Sequence, residues 1–338
     1  MGTKLNSSMA IYRLVLDLHL PASDNPVKTI LTHCHRRVKK FLADYGPCSS
    51  LGQLLDLLAN KLGTRIVEIE TDRQLENLQT EYLARGESIF VTLDKEFADD
   101  DTYGITFKLQ NPAAWEQPYI SIIDSRGRKR QRKYHTKWHE LGHLLILTDQ
   151  TRLAFRRSHD PAHPKSAEES IVDSIAGDLS FYRPLVVPHL TGQLSFETIE
   201  KMRAALCPEA SMYSAVLNIT KLWPTPCVWV EARLAAKKSE ENTSQQSFGF
   251  REPPERALRA VHANANDAAR ELGLGVIPRF RIPRRSIITR VFETGLCGEA
   301  LEDLSWWESS DGTRLADCKV KVQARQIGDT IHALIMPN

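Results

Sequence analysis

The chain has 338 residues, 42% of them apolar and 25% charged, with a formal charge of +2. That length suggests two or three domains, and the apolar share is enough to build real cores, which excludes wholesale disorder. The near-zero charge gives no general attraction to nucleic acid or anionic lipid, and no apolar run approaches the length of a membrane span.

Six cysteines are scattered without a C-x-x-C pair. Their spacing argues against a zinc ribbon, a redox pair or a disulfide framework, and fits reduced thiols in a cytoplasmic protein. The apolar run 10–20 is broken by Arg13, Asp17 and His19, a poor match to a secretion signal. Asn6 stands where a myristoylation motif wants Ser or Thr, and Met9 is an alternative to Met1 as the native start.

In chain order, residues 9–47 read as a short strand followed by a basic helix over 27–45, and 1–48 as an N-terminal extension. Ser49 and Ser50 can cap a helix over 51–62 whose leucines fall on one face, with Gly63 at its end. Residues 65–70, 88–93 and 119–124 read as strands and a helix starts near Tyr134, an α+β pattern without repeating βαβ units. An acidic run at 94–101 and a basic run at 126–137 read as solvated loops, although the basic run could grip an acidic segment. Residues 194–206 and 211–223 read as two helices with helix-turn-helix spacing. The second carries only Lys221 as a basic residue, which counts against reading a DNA groove and favours packing. Residues 227–234 read as a buried strand and the polar stretch 237–247 as a linker. Beyond it, 254–272 reads as a helix and 286–293, 319–325 and 330–336 as strands. The expected layout is a catalytic domain over 49–189, a helical segment over 190–236, a linker over 237–249 and a small α+β domain over 250–338.

One constellation stands above the rest. His139-Glu140-Leu141-Gly142-His143 is an H-E-x-x-H pattern among apolar residues of helical spacing. On a helix, positions i and i+4 differ by about 40°, so the two imidazoles project together and make half of a tetrahedral zinc site. Glu140 points off that axis, placed to take a proton from a water at the metal.

Two downstream acids compete for the third ligand position. Asp149 would need a glycine three residues after His143, and Ile146 stands there. Glu169 lies in a helical pattern, with Asp173 one turn later on the same face. That is the gluzincin arrangement, in which the first acid binds metal and the second holds a ligand histidine by its free N–H. Glu168 is the fallback, but its i+4 neighbour is Val172, which cannot hold a histidine.

The stretch 133–145, KYHTKWHELGHLL, resembles the RRFTLAHELGHLL signature of the ImmA/IrrE metallopeptidases, and 169–176 resembles their ExEANxFA helix, with Asp173 in place of Asn. Residues 181–184 loosely match their LLMP. The resemblance spans about 50–190; the helical segment and a GAF-like C-terminal domain correspond only by order and size. Asp99 to Pro118 departs from it as an insertion. The resemblance implies a gluzincin-like α+β fold, one Zn2+ per chain on His139, His143 and Glu169, and Glu140 as general base. It also implies cleavage of a helix-turn-helix transcriptional repressor in a stress or mobile-element response, and a small ligand for the C-terminal domain. An oxyanion donor is expected, with Tyr182, His163 and His189 as candidates.

The alternatives are a non-proteolytic metal-dependent regulator or toxin–antitoxin-type partner, and a DNA-binding protein with structural zinc. An intact Glu140 favours the peptidase, because a structural zinc has no use for a base there. The near-neutral charge counts against the third.

Overall fold

A computed structural model describes residues 2–147, 154–156, 167–236, 256–309 and 312–338 of the chain. Helices α1 (Gly2–Asp17), α2 (Pro26–Tyr45) and α3 (Leu51–Lys61) come first, where a strand had been expected near residue 9. Asn25 and Ser50 cap α2 and α3 through their side chains. The next elements are β1 (Thr64–Ile69), α4 (Asp72–Ala84), α5 (Leu93–Ala98), β2 (Gly104–Lys108) and β3 (Tyr119–Asp124). They lead to α6 (Lys133–Leu145), β4 (Ala154–Arg156), α7 (Ala167–Leu179) and α8 (Arg183–Val186). The sheet runs β1-β3-β2-β4, with β1 and β3 parallel and the other pairs antiparallel.

The chain divides into two compact units, Met1–Leu185 with Ala205–Ser211, and Val186–Ala204 with Met212–Asn338. The first 48 residues are therefore not an extension. Ile30, Cys34 and Val38 of α2 are fully buried or nearly so, and Arg37 donates to the Leu145 carbonyl at the end of α6, 2.5 Å away. Residues 88–93 form a 3-10 turn running into α5 rather than a strand. Phe90, Leu93 and Phe97 are buried at helical spacing, which the β-branched neighbours obscured. The supposed insertion 99–118 contains β2, an interior strand of the sheet.

The second unit includes most of α9 (Phe196–Leu206) and all of α10 (Met212–Leu222), the two expected helices. Both bury one face, through Ile199, Met202 and Leu206 on α9 and Ala215, Val216 and Ile219 on α10. The remaining elements are β5 (Val228–Ala235), β6 (Ala257–Ala265), α11 (Asp267–Glu271), α12 (Ile287–Thr294), β7 (Gly298–Asp303), β8 (Lys319–Ile327) and β9 (Thr330–Pro337). The strands form one sheet, β6-β5-β9-β8-β7, antiparallel throughout.

This corrects three expectations. Residues 190–236 are not a domain apart from 250–338, because β5 lies between β6 and β9. A strand whose first five residues are all buried needs a ladder on each edge, and only later segments supply both. Residues 257–265 are β6, not a helix. Their alanines favour a helix, but pairing with β5 overrides that preference. Residues 287–294 are α12, not a strand. Ser286 caps it by accepting from the Ile288 N–H, and Gly295 ends it at a φ of 71°. The expected linker over 237–249 lies outside the described residues.

A buried histidine makes this sheet pH-sensitive. His332 on β9 is fully buried. The Trp229 indole N–H donates to its Nδ1 at 3.0 Å, so the proton sits on Nε2, 2.9 Å from the Thr330 hydroxyl. Burial holds the imidazole pKa down to about 4 from 6.5. The unfolded chain therefore binds the extra proton between those values while the folded chain does not. The stability from neutral His332 is whole above pH 6.5 and is lost as pH falls to 4, about 3 kcal/mol in all. Urea unfolding of the full chain at several pH values checks this. The advantage of wild type over His332→Gln should shrink by up to that amount across the window, and an unchanged difference would refute it.

Candidate metal centre

Helix α6 is buried along its whole last ten residues, not on one face only. His139, Glu140 and His143 all have zero exposure. Burying such groups costs several kcal/mol each unless they find partners. Lys137 on the same helix is anchored by Glu209 at 2.8 Å and by Glu68, which also holds Lys133 at 3.0 Å.

The partners of the histidines come from the first two turns of α7. Glu169 spans both rings, with Oε2 3.1 Å from His139 Nε2 and Oε1 3.3 Å from His143 Nε2. The two Nε2 atoms are 3.2 Å apart. Asp173 Oδ1 lies 3.0 Å from His139 Nδ1. A carboxylate only accepts, so Nδ1 carries the proton and donates, leaving the Nε2 lone pair aimed at the cluster. The Glu169 carboxyl would be raised by burial, but hydrogen bonds and charge from His139 and His143 hold it down to about 2.

These three donors could hold a metal ion, since their ligand atoms lie within 4.8 Å of one another. Four-coordinate zinc with bonds of about 2.0–2.1 Å sets its ligand atoms about 3.3 Å apart. The distances of 3.1, 3.2 and 3.3 Å fit that spacing, and neutral imidazoles with a carboxylate suit a borderline cation.

A glycine permits the convergence. A Cβ on Gly142 would come within 3.1 Å of Val172 Cγ1 and 3.4 Å of the Val172 carbonyl. A side chain there requires Val172 of α7, on the helix that carries Glu169, to give by a few tenths of an ångström.

Glu140 points elsewhere. Its Oε2 accepts from the Thr106 hydroxyl of β2 at 2.7 Å, and its Oε1 is buried with no hydrogen-bond partner among the described residues. Burial raises this carboxyl above the usual range, against the pull of His143, His139 and the Thr106 bond. Strand β2 passes so close that a Cβ on Gly104 would sit 2.9 Å from Glu140 Oε1 and 2.6 Å from Thr136 Cγ2. Sequence reading missed Gly104 and Thr106, because nothing in 99–118 advertises contact with a motif three dozen residues later.

Glu168 is exposed and outside the cluster. Helix α6 stops at Leu145 and Ile146 caps it. Asp149 and His163 lie outside the described residues. Tyr182 is buried and stacks on His35, centroids 5.6 Å apart, and His35 is bound to Asp178. Asp178 is nine residues after Glu169, on the opposite side of α7, so Tyr182 is held away from the ligand face. His189 is exposed and belongs to the second unit. The basic run is largely ion-paired: Arg126 and Lys129 hold the buried Asp124 at 2.9 and 3.0 Å, and Arg130 reaches Glu70 at 3.5 Å.

No family model matches the chain, and no curated protein matches it.

Two substitutions test the geometry. Asp173→Ala should weaken divalent-metal affinity about ten- to a hundredfold by freeing the His139 ring. Gly142→Ala should also weaken it, although alanine by itself favours a helix by about 1 kcal/mol. Competition with a chromophoric chelator measures both, and unchanged affinity in Gly142→Ala would show that α7 yields without moving Glu169.

Proposed function

We propose that the chain is a zinc-dependent endopeptidase of gluzincin type. The observation that supports this best is the pairing of a three-donor cluster with a buried carboxylate that is not one of its ligands. His139, His143 and Glu169 converge, while Glu140, one residue along the same helix, keeps Oε1 without a hydrogen-bond partner among the described residues. A purely structural metal site has no need of such a group.

Zinc held by the three donors would polarise a peptide carbonyl and make a nearby water more acidic. Glu140 accepts the proton from that water through Oε1 and passes it to the departing amine nitrogen. Its raised pKa suits a base that must also release the proton. Asp173 keeps His139 in the tautomer whose Nε2 lone pair faces the cluster.

The resemblance around 133–145 and 169–176 extends this reading to the substrate, a helix-turn-helix repressor cut at one or very few bonds in the cytoplasm. No described helix is long and apolar enough to cross a membrane. The ion-paired basic run and the single lysine of α10 count against direct DNA binding. The second unit fits a GAF-like, ligand-holding reading in its antiparallel sheet with short helices.

Glu140→Gln should retain about one zinc per chain and lose cleavage by at least about a hundredfold. Glu169→Ala should lose the metal. Zinc analysis of the purified proteins, with incubation against casein and against small helix-turn-helix repressors, checks both. Full zinc in Glu169→Ala would overturn the ligand set, and equal cleavage by Glu140→Gln would overturn the mechanism. Rapid casein digestion with the repressors left intact would overturn the regulatory reading.

A further inference from the structure

Glu140 is the first member of a buried chain of hydroxyls. Thr106 Oγ1 lies 2.7 Å from Glu140 Oε2, Ser121 Oγ lies 2.8 Å from Thr106 Oγ1, and Thr64 Oγ1 lies 2.9 Å from Ser121 Oγ. Thr106 and Ser121 are fully buried and Thr64 is 3% exposed. One hydroxyl comes from each of β2, β3 and β1, and Thr106 stands directly opposite Ser121 in the strand register. In a buried sheet interior these positions would ordinarily be Val or Ile, so three hydroxyls in a row require an account.

Proton counting supplies it. An ionised carboxylate only accepts, so Thr106 must spend its single proton on Glu140. Ser121 must then donate to Thr106, and Thr64 to Ser121. Three hydroxyl protons fill three hydrogen bonds, and every one points toward Glu140. Such a chain polarises in one direction and strengthens its last bond, here a bond to charge. It engages Oε2 and leaves Oε1 without a hydrogen-bond partner among the described residues.

We propose that Thr106, held as a donor by Ser121 and Thr64, is the positioning residue for Glu140. The hydroxyl fixes the rotamer and decides which carboxylate oxygen is presented to the reacting water. The proposal rests on the peptidase reading for its catalytic consequence, but not for the rotamer itself.

Zinc-loaded, full-length Thr106→Val, Thr106→Ser and Ser121→Ala separate the two. With a helix-turn-helix repressor that wild type cleaves as substrate, Thr106→Val should lower kcat about ten- to a hundredfold and leave KM within about twofold, the signature of a misaimed group rather than a damaged binding surface. Thr106→Ser, which restores the hydroxyl, should recover kcat to within about threefold, and Ser121→Ala should fall between. Zinc content should be unchanged in all three. Crystal structures should show Glu140 Oε2 on the residue 106 hydroxyl in wild type and Thr106→Ser, and the carboxylate rotated away in Thr106→Val. If wild type binds zinc but cleaves nothing, the peptidase reading fails and the Glu140 rotamers still decide the positioning claim. Should Thr106→Val not fold, the same comparison is made with Ser121→Ala. An unmoved carboxylate with undiminished kcat in whichever of these variants folds would overturn the proposal.

Discussion

Three ionisable side chains meet in the first unit where water is excluded, and much of that unit answers the cost of burying them. His139, Glu140 and His143 come from one helix with no exposure at all. Each is given a partner by a different neighbour: Asp173 and Glu169 from α7, Thr106 from β2. The close approach at Gly142 and Val172 brings α7 near enough, and the bare backbone at Gly104 does the same for β2. Glycine is needed at both points for lack of space rather than for backbone freedom. Neither position has a positive φ.

The electrostatics follow from this arrangement. Glu169 and Glu140 are both carboxylates in the same buried neighbourhood, yet burial wins at Glu140 and the histidines win at Glu169. One stays ionised against nearly any physiological pH, which suits the ligand role proposed for it. The other sits closer to its proton, which suits the proposed base that later acts as an acid. The difference comes from burial and partners together, since Glu169 is partly exposed and bridges two imidazoles whereas Glu140 has no exposure and receives a single neutral hydroxyl.

How much of this the sequence displayed depends on the range of the interaction. His139, His143, Glu169 and Asp173 were legible because helical periodicity converts spacing into direction, so two short motifs defined two faces. Strands β1, β3, β8 and β9 were legible from alternation or from β-rich runs. Thr106 and Gly104 were not, because they act on Glu140 through the sheet order β1-β3-β2, a long-range fact with no local trace. Strand β6 and helix α12 were misread for the opposite reason. Their local preferences, alanine for helix and isoleucine for strand, are real and were outvoted by ladder pairing in one case and by Ser286 and Gly295 capping in the other. The Thr71–Gln74 capping box at the start of α4 was readable and went unread.

The pairing of β5 with β6 sets Ala235 directly opposite Ala257. The chain therefore leaves the sheet and rejoins it at the same spot, with the ladder holding the two ends together. For ends already held, doubling a flexible connection adds only about 0.6 kcal/mol of closure entropy. The point between Ala235 and Ala257 is thus one where added length bears little on the ladder. In evolutionary terms it is a place where sequence can be gained, lost or exchanged without renegotiating the core. In engineering terms, a tag or reporter inserted between those alanines would ride on the second unit while leaving its sheet order intact.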